Sequence, residues 1–409
     1  MPSEGACGAS GGSFTVAHLT TVDMSLRYLL LAQLRAVRDA GGTAIGISAP
    51  GPHVAALEAE GIRHIALHSS TRAADPLADV RAARELWKIL RRESVDVLHT
   101  HNPKPGLYGR VVGRLAGVPI IVNTVHGLYA TEDDPLPKRA TVYALEGIAS
   151  RWSDAELFQN PEDLALMRRL HLTRHASLLG NGIDLTWFDR ARVGDAARRD
   201  LRAEIGATDD TVVVGCVGRL VREKGYPELF HAMAGLDPQR YRLVVAGADQ
   251  PDKPDALDRA TVHAARQRGV TFLGHREDVE HVYAALDVLA LPSHREGFPR
   301  APMEAAAMGV PSIVTDVRGC REVVEPGRTG IVVALHDPEG LRRAIAQLGE
   351  DPERRAAYGA AARAKAEHDF DDRAVVSRVF RAYLSAAMRR GIRLTTLEEQ
   401  VAVRENHSP

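Results

Sequence analysis

The sequence predicts an α/β protein made of two Rossmann-like, doubly wound domains that face each other across a cleft. Three observations predict it. Short apolar runs alternate with amphipathic helical stretches along most of the chain, which is the pattern of parallel strands covered by helices on both faces. The series stops at a charged, Ala- and Gly-rich stretch, Asp189–Asp210, and then begins again. The 409 residues suit two domains of ~100–200 residues each.

In the first series Phe14–Leu19 reads as a strand, followed by a helix over Ser25–Val37 with Leu26, Leu30, Leu34 and Val37 on one face. Thr43–Ser48, His64–Leu67, Val95–His99, Pro119–Thr124 and Ala155–Phe158 continue the strands, with helical patterns near 75–92, 104–116 and 136–152 between them. Asn160-Pro161-Glu162-Asp163 marks a helix start, a capping Asn followed by Pro and two acids. Asp189–Asp210 reads as the interdomain connection. The second series runs Val212–Val217, Tyr241–Ala246, Val270–Leu273, Val288–Leu291, Pro311–Thr315 and Gly330–Val333, with a helix at Val279–Leu286. Pro352–Arg390 is helical, and Leu394–Pro409 reads as a polar tail.

Composition narrows the function. Hydrophobic residues at 45 % supply two cores, and 26 % charged residues make an ordinary soluble surface. Lys plus Arg number 52 against 53 Asp plus Glu, and this balance excludes nucleic acid as the main partner, since phosphate binding needs a clustered positive excess. The three cysteines, Cys7, Cys216 and Cys320, form no CxxC pair, which argues against a disulfide framework or a cysteine-based structural zinc site and fits a reducing compartment. The Gly/Ser/Ala-rich head, residues 1–12, has no signal-peptide pattern, and the apolar run Tyr28–Ala32 is far short of the ~20 residues that span a bilayer. The expectation is a cytoplasmic protein.

Ligands of doubly wound sheets bind beyond the carboxyl ends of the strands, so the loops there carry the chemistry. One such loop is Ser293-His294-Arg295-Glu296-Gly297-Phe298-Pro299-Arg300, leading into a helix over about 301–308, with seven residues between Glu296 and Glu304. Loop amides and a helix N-terminus receive a phosphate or a polar sugar edge, and a carboxylate there accepts hydrogen bonds from hydroxyls of a ribose or hexose. The second loop is Gly218-Arg219-Leu220-Val221-Arg222-Glu223-Lys224-Gly225, with Pro227 opening the next helix. Arg219 and Lys224 are two fixed cations suited to a departing diphosphate. Only six of the 52 basic residues are lysines, which makes Lys224 in a loop notable. In the first domain His99-Thr100-His101-Asn102 and Thr124-Val125-His126-Gly127 end two strands and should rim the cleft.

These segments resemble glycosyltransferase family 4, retaining enzymes of the GT-B fold. The resemblance rests on Gly218-Arg219 … Glu223-Lys224-Gly225 and on the Glu296/Glu304 pair in Glu-Gly-Phe-Pro-Arg-Ala-Pro-Met-Glu-Ala. Phe272-Leu273-Gly274 before Asp278-Val279, Gly309-Val310-Pro311 … Thr315-Asp316-Val317-Arg318-Gly319-Cys320-Arg321-Glu322, and Asn181-Gly182-Ile183-Asp184 with Phe188 complete it across residues 14–390. It implies an acceptor-side domain at 13–195, a nucleotide-sugar domain at 196–371, and a helix at 372–392 that returns to the first domain. By the same resemblance Arg219 and Lys224 hold the donor diphosphate, with the backbone of Gly218 beside them, and Glu304 binds the nucleotide ribose. Glu296 faces the transferred sugar. Amides around Gly297, Phe298, Pro299 and Arg300 contact sugar and phosphate, Gly274, His275 and Arg276 edge the base, and His126 lies by the donor sugar. Many family members carry a Gly-rich loop after the first strand. Here the loop is Thr20–Ser25, which leaves Asp23 and Asn102 as candidates for acceptor contact.

The function implied is transfer of a hexose or N-acetylhexosamine from a nucleoside diphosphate, UDP by family, to a hydroxyl of a glycan or polyprenol-linked glycan in surface polysaccharide synthesis. No cofactor or metal is expected, since the two cations neutralise the leaving group, no Asp-x-Asp follows a strand, and Asp133-Asp134 and Asp209-Asp210 read as loop acids. The alternatives are a GT-B nucleotide-sugar epimerase, which needs no acceptor, and a non-catalytic sugar-nucleotide binding protein. A nicotinamide-dependent dehydrogenase would need G-x-G-x-x-G after its first strand, and here Gly5, Gly8, Gly11 and Gly12 precede it. A hydrolase with metal on His99, His101 and His126 would lack a carboxylate ligand. Arg81, Arg84, Lys88, Arg91 and Arg92 along a helix with Leu86, Trp87 and Leu90, and Lys138, Arg139 and Arg151 around a second apolar stretch, point to peripheral contact with an anionic membrane.

Overall fold

The structure, a computed structural model, describes residues 14–71, 75–101, 103–132, 134–250 and 253–399. The head at 1–12 with Cys7, the acceptor candidate Asn102 and the loop acid Asp133 lie outside the described residues. The chain divides into two compact units, one formed by residues 1–179 with 373–409 and one by Gly180–Asp372.

The first unit contains a seven-stranded parallel sheet of β1 (Thr15–Val22), β2 (Thr43–Ala49), β3 (Arg63–Ala66), β4 (Val97–His101), β5 (Ile120–Val125), β6 (Ala155–Phe158) and β7 (Ala176–Leu178). Their order is β3-β2-β1-β4-β5-β6-β7. Helices cover both faces, so β4 and β5 are buried along their whole length rather than on alternate residues. On one face Leu26 and Leu34 pack with Val376, Val379, Phe380 and Tyr383 of the helix Asp372–Arg390; on the other, Leu86 and Leu90 pack with Leu98 and Ile121. Asn160 caps the helix Pro161–Arg169 by accepting the Asp163 amide at 2.8 Å, as its sequence indicates.

Several boundaries differ from the sequence reading. Ser25–Val37 is two helices, Asp23–Leu29 and Leu31–Asp39, because Leu30 leaves helical geometry at φ −120°. Strand β4 begins two residues later than expected and runs two residues further, so that His101, read as a loop residue, lies within it beside His99, both buried. Strand β7, three residues long and partly exposed, is too short and too polar in its surroundings to stand out in the sequence. Leu394 and Leu397, in the supposed polar tail, are core residues of this unit.

Arg110 is fully buried in the first unit. It donates to Glu156 at 2.8 Å and to Glu146 at 2.6 Å, while Asn123 donates to the second oxygen of Glu156 at 2.9 Å. A buried ion set contributes little net stability when complete but is damaging when broken, because the remaining charge has neither water nor partner. Arg110→Met is therefore expected to destabilise the protein by about 3–5 kcal/mol in urea unfolding at pH 7. A change below about 1 kcal/mol would show that the carboxylates do not depend on it.

The second unit holds a six-stranded parallel sheet of β8 (Val212–Val217), β9 (Tyr241–Ala246), β10 (Thr271–Gly274), β11 (Val288–Leu291), β12 (Ser312–Thr315) and β13 (Gly330–Val333). The order is β10-β9-β8-β11-β12-β13. Residues 180–195, read from sequence as part of the first domain, pack here instead, since Ile183 and Phe188 sit in this unit's core. The stretch read as a connection is a helix, Arg190–Glu204, interrupted at Gly194. It looks like a loop in sequence because few of its residues, such as Leu201, are buried.

Candidate functional site

In each sheet the strand order reverses between the first and fourth strands: β1 and β4 in the first unit, β8 and β11 in the second. At such a switch point the loops leaving the two strands diverge to opposite faces and open a crevice at their carboxyl ends. In the second unit these loops are 218–225, after β8, and 292–299, after β11, the two segments singled out from sequence.

They meet through an ion pair: Lys224 Nζ donates to Glu296 Oε1 at 2.5 Å, with side chains 17 % and 10 % exposed. Lys224 ends a short 3-10 turn, Arg222–Lys224, closed by Gly225 at φ +74°. A β-carbon on Gly225 would lie 1.9 Å from the carbonyl oxygen of Pro292, so glycine is required both for the turn and for the approach of the two loops. Gly319, at φ +82°, likewise lets its loop come against Gly297, whose carbonyl oxygen would be 2.4 Å from a β-carbon. Arg219 is half-buried, and among the described residues no ion pair or hydrogen bond engages its guanidinium. Gly218 accepts a 2.8 Å hydrogen bond from the Tyr226 hydroxyl at its carbonyl, which fixes the strand end.

The helix Arg300–Ala307 begins at Pro299, whose side chain caps nothing, so no cap side chain takes the first-turn N–H groups of Arg300 and Ala301, which suit an anion. Glu304 is buried in this helix. Its Oε2 accepts from the Tyr283 hydroxyl at 2.8 Å and its Oε1 from Arg300 Nε at 3.1 Å, so the carboxylate has a fixed orientation. Burial and the adjacent Glu304 charge push the Tyr283 hydroxyl well above its ordinary range, keeping it a donor. Asn181 donates to the Phe298 carbonyl at 3.0 Å, holding the loop from a third segment of the same unit. Next to β10, Arg276 is bound at both nitrogens by Asp278, each at 2.8 Å, and His275 is exposed beside Gly274. With the Arg276 side chain so engaged, the backbone of 274–276 is the part of this segment left to present polar groups.

In the first unit the histidines form a hydrogen-bonded series. His126 Nε2 meets His101 Nδ1 at 3.0 Å, and His101 Nε2 meets His18 Nδ1 at 3.0 Å. Tyr383 links His18 Nε2 at 3.4 Å to His99 Nδ1 at 2.7 Å, and His99 Nε2 meets Thr124 Oγ1 at 2.7 Å. Burial lowers the pKa of His18 to about 3 and places His99 and His101 well below the usual histidine range, the neighbouring imidazoles adding to the effect. His126, partly accessible just beyond β5, is lowered to about 4 by the surrounding protein despite an opposing contact from Gln159. All four are neutral at pH 7. His99 and His101 therefore do not rim an open loop. They are the buried support behind His126. Asp23 is also not open: it is buried and accepts the amides of Met24 at 2.8 Å and His53 at 2.7 Å.

The loop pattern singles out Glu296, Glu304, Arg219 and Lys224, but not the side chains they contact. Tyr283 lies inside the helix read at Val279–Leu286, and Asn181 in the segment Asn181-Gly182-Ile183-Asp184, with nothing local to name their partners. Tyr383 lies far away in sequence on a helix, and His18 is one histidine in an apolar strand, a pattern that gives no sign of its partners.

Comparison with known proteins assigns the chain. The family model "Glycosyltransferase Family 4" matches residues 30–187, and "Glycosyl transferases group 1" matches residues 197–365. A UDP-Gal:alpha-D-GlcNAc-diphosphoundecaprenol alpha-1,3-galactosyltransferase of Escherichia coli is 30 % identical over 286 residues, 67 % of this chain and 72 % of the relative. The capsular polysaccharide biosynthesis glycosyltransferase CapM of Staphylococcus aureus is 25 % identical over 370 residues, 88 % of this chain and 94 % of the relative. Among solved structures, Anabaena Alr3699/HepE in complex with UDP and glucose has a TM-score of 0.77 at 20 % identity, covering 91 % of this chain and 100 % of that one. Two parallel Rossmann-like sheets, the paired loops of the second unit and matches along both halves give one conclusion: the chain belongs to glycosyltransferase family 4, is a glycosyltransferase, and has the GT-B fold.

Proposed function

We propose that this glycosyltransferase transfers a sugar from a UDP-sugar to a hydroxyl of a polyprenol-linked glycan, with retention at the anomeric carbon, in polysaccharide synthesis on the cytoplasmic side of the membrane. The observation that carries the proposal is the Lys224–Glu296 pair at the second switch point, in a unit that also holds Glu304 in a fixed orientation. The relatives support the substrate class, one named for a UDP-Gal donor with a diphosphoundecaprenol-linked acceptor and another for capsular polysaccharide synthesis.

In this reading Arg219 and Lys224 take the charge of the diphosphate, the role a divalent metal would otherwise fill, and the backbone N–H groups of Phe298, Arg300 and Ala301 bind the same group. Glu304 accepts from the ribose hydroxyls. As Lys224 turns to the phosphate, Glu296 is freed to accept from hydroxyls of the transferred sugar and to offset positive charge developing at its anomeric carbon. The backbone of 274–276 serves the base. The bond from the anomeric carbon to the diphosphate oxygen breaks with its electron pair going to phosphate. The acceptor oxygen bonds to the anomeric carbon on the same face, and its proton passes to the leaving phosphate.

The test is incubation with UDP-, GDP-, ADP- and TDP-sugars in EDTA, with and without a synthetic polyprenyl-diphosphate sugar, followed by NMR of the anomeric proton in the product. Transfer from a UDP-sugar with the donor's anomeric configuration is expected. Epimerised donor without an acceptor would favour the epimerase reading, and binding without turnover the non-catalytic one.

The membrane expectation divides in the structure. Leu86 and Leu90 of the helix Pro76–Glu93 are core residues, while Trp87, Leu77 and Val80 stay exposed, so only part of the apolar set read from sequence faces outward there. The helix Leu136–Ser150 does expose Leu136 (74 %), Leu145 and Ile148 (55 %), next to Trp152 and Arg151. Among the described residues no helix is long and apolar enough to cross a membrane. We place peripheral contact on the 136–152 face. Sedimentation with anionic vesicles at low salt should be lost with Leu136→Asp/Ile148→Asp. Equal sedimentation of the double variant would remove the idea.

A further inference from the structure

Three loops of the second unit bring together a cluster that the transfer reaction does not use. Glu228 lies in the first turn of the helix Tyr226–Ala234, His294 in the loop after β11, and His336 between β13 and the helix Pro338–Glu350. Glu228 Oε1 is 2.8 Å from His294 Nε2 and 3.2 Å from His336 Nδ1, and the two rings stand 4.4 Å apart. One ligand atom from each residue lies within 4.8 Å of the others. A tetrahedral ion with bonds of ~2.0–2.1 Å separates its ligands by about 3.3 Å, so the three side chains need little movement to close on one.

Two further observations suit a cation. Glu228 Oε2 is buried, and no hydrogen bond from another of the described residues reaches it. His336 holds the left-handed backbone region at φ +58°, uncommon for a residue with a β-carbon, and in doing so keeps its ring against Glu228. The cluster is open to solvent, since the His336 side chain is 60 % exposed. It differs in this from His18, His99 and His101, which are buried and whose ring nitrogens are all taken by one another, His126, Tyr383 and Thr124.

We propose that Glu228, His294 and His336 form a three-ligand site for a zinc-type divalent transition metal, distinct from the donor site. Two imidazoles and one carboxylate with a fourth position open to water select zinc, cobalt or nickel over magnesium, which prefers oxygen ligands. A bound ion ties down the loops of the donor site without entering it. His294 is two residues before Glu296, its amide donates to the Glu223 carbonyl at 2.8 Å, and Glu223 precedes Lys224. The ion is a structural clamp on these loops, and sugar transfer proceeds without it.

The experiment is titration of the metal-stripped, untagged full chain with Co2+, read by its visible absorption, and with Zn2+ in competition with a chromophoric chelator. One tetrahedral equivalent is expected in the wild type. His336→Ala and Glu228→Gln should each weaken binding at least tenfold while leaving the circular dichroism spectrum unchanged, and His336→Ala should retain sugar transfer. Absence of a stoichiometric site in the wild type, or equal affinity in all three proteins, would overturn the proposal.

Discussion

Lys224→Ala is expected to lower kcat by about 100- to 1,000-fold, the loss seen when one preorganised group is removed from developing negative charge, equivalent to ~2.7–4 kcal/mol of transition-state stabilisation. Glu296→Gln should give a loss of similar order. The two effects should not add, because the side chains are joined at 2.5 Å and each is the other's partner until a donor arrives. The double variant should therefore be little worse than the poorer single one. Both positions are mostly buried, so unfolding in urea must be measured alongside. A stability loss without a rate loss would make the pair a structural ion pair. Steady-state rates with saturating donor decide the matter, and a change of less than about threefold in either single variant would contradict the assignment.

Acid is expected to unfold the protein well before its carboxylates titrate. A histidine whose folded pKa lies below its ordinary 6.5 stays neutral in the folded state while the unfolded chain takes up a proton. Stability is then whole above pH ~6.5 and falls as pH drops toward the folded value, by about 1.4 kcal/mol per unit for each such residue. For His18, lowered to about 3 by burial, this is about 2 kcal/mol at pH 5. His99, His101 and His126 act in the same direction. Glu146, raised chiefly by burial with a further push from Glu156, offsets a fraction of one proton. Urea midpoints should be level from pH 8 to 7 and fall steeply from 6.5 to 5, and His18→Gln should remove about one proton from that slope. A midpoint unchanged down to pH 5 would mean that the buried series opens to water.

The fold was legible because a parallel sheet covered on both faces leaves strong marks: the runs Val212–Val217 and Val288–Leu291 are strands at those residues. Legibility failed where burial does not follow an apolar pattern. Arg190–Glu204 buries little and read as a loop, and β4 runs past His99 to bury His101, which looked like a loop residue. The loops 218–225 and 292–299 were legible because charged residues and glycines stand directly after apolar strands. The strand order that brings them together was not, since sequence gives the strands but not which of them are neighbours. Tyr283 and Tyr383 were missed for the same reason: a buried tyrosine hydroxyl needs a polar partner, but nothing local names Glu304 or His99 as that partner.

The most direct test of the account is a calorimetric titration of UDP in EDTA into the wild type, Arg219→Met and Glu304→Gln. The account predicts one site in the wild type and at least tenfold weaker binding in each variant, Arg219→Met losing a diphosphate cation and Glu304→Gln the ribose acceptor. UDP binding of equal affinity in all three would contradict a donor site built on these residues.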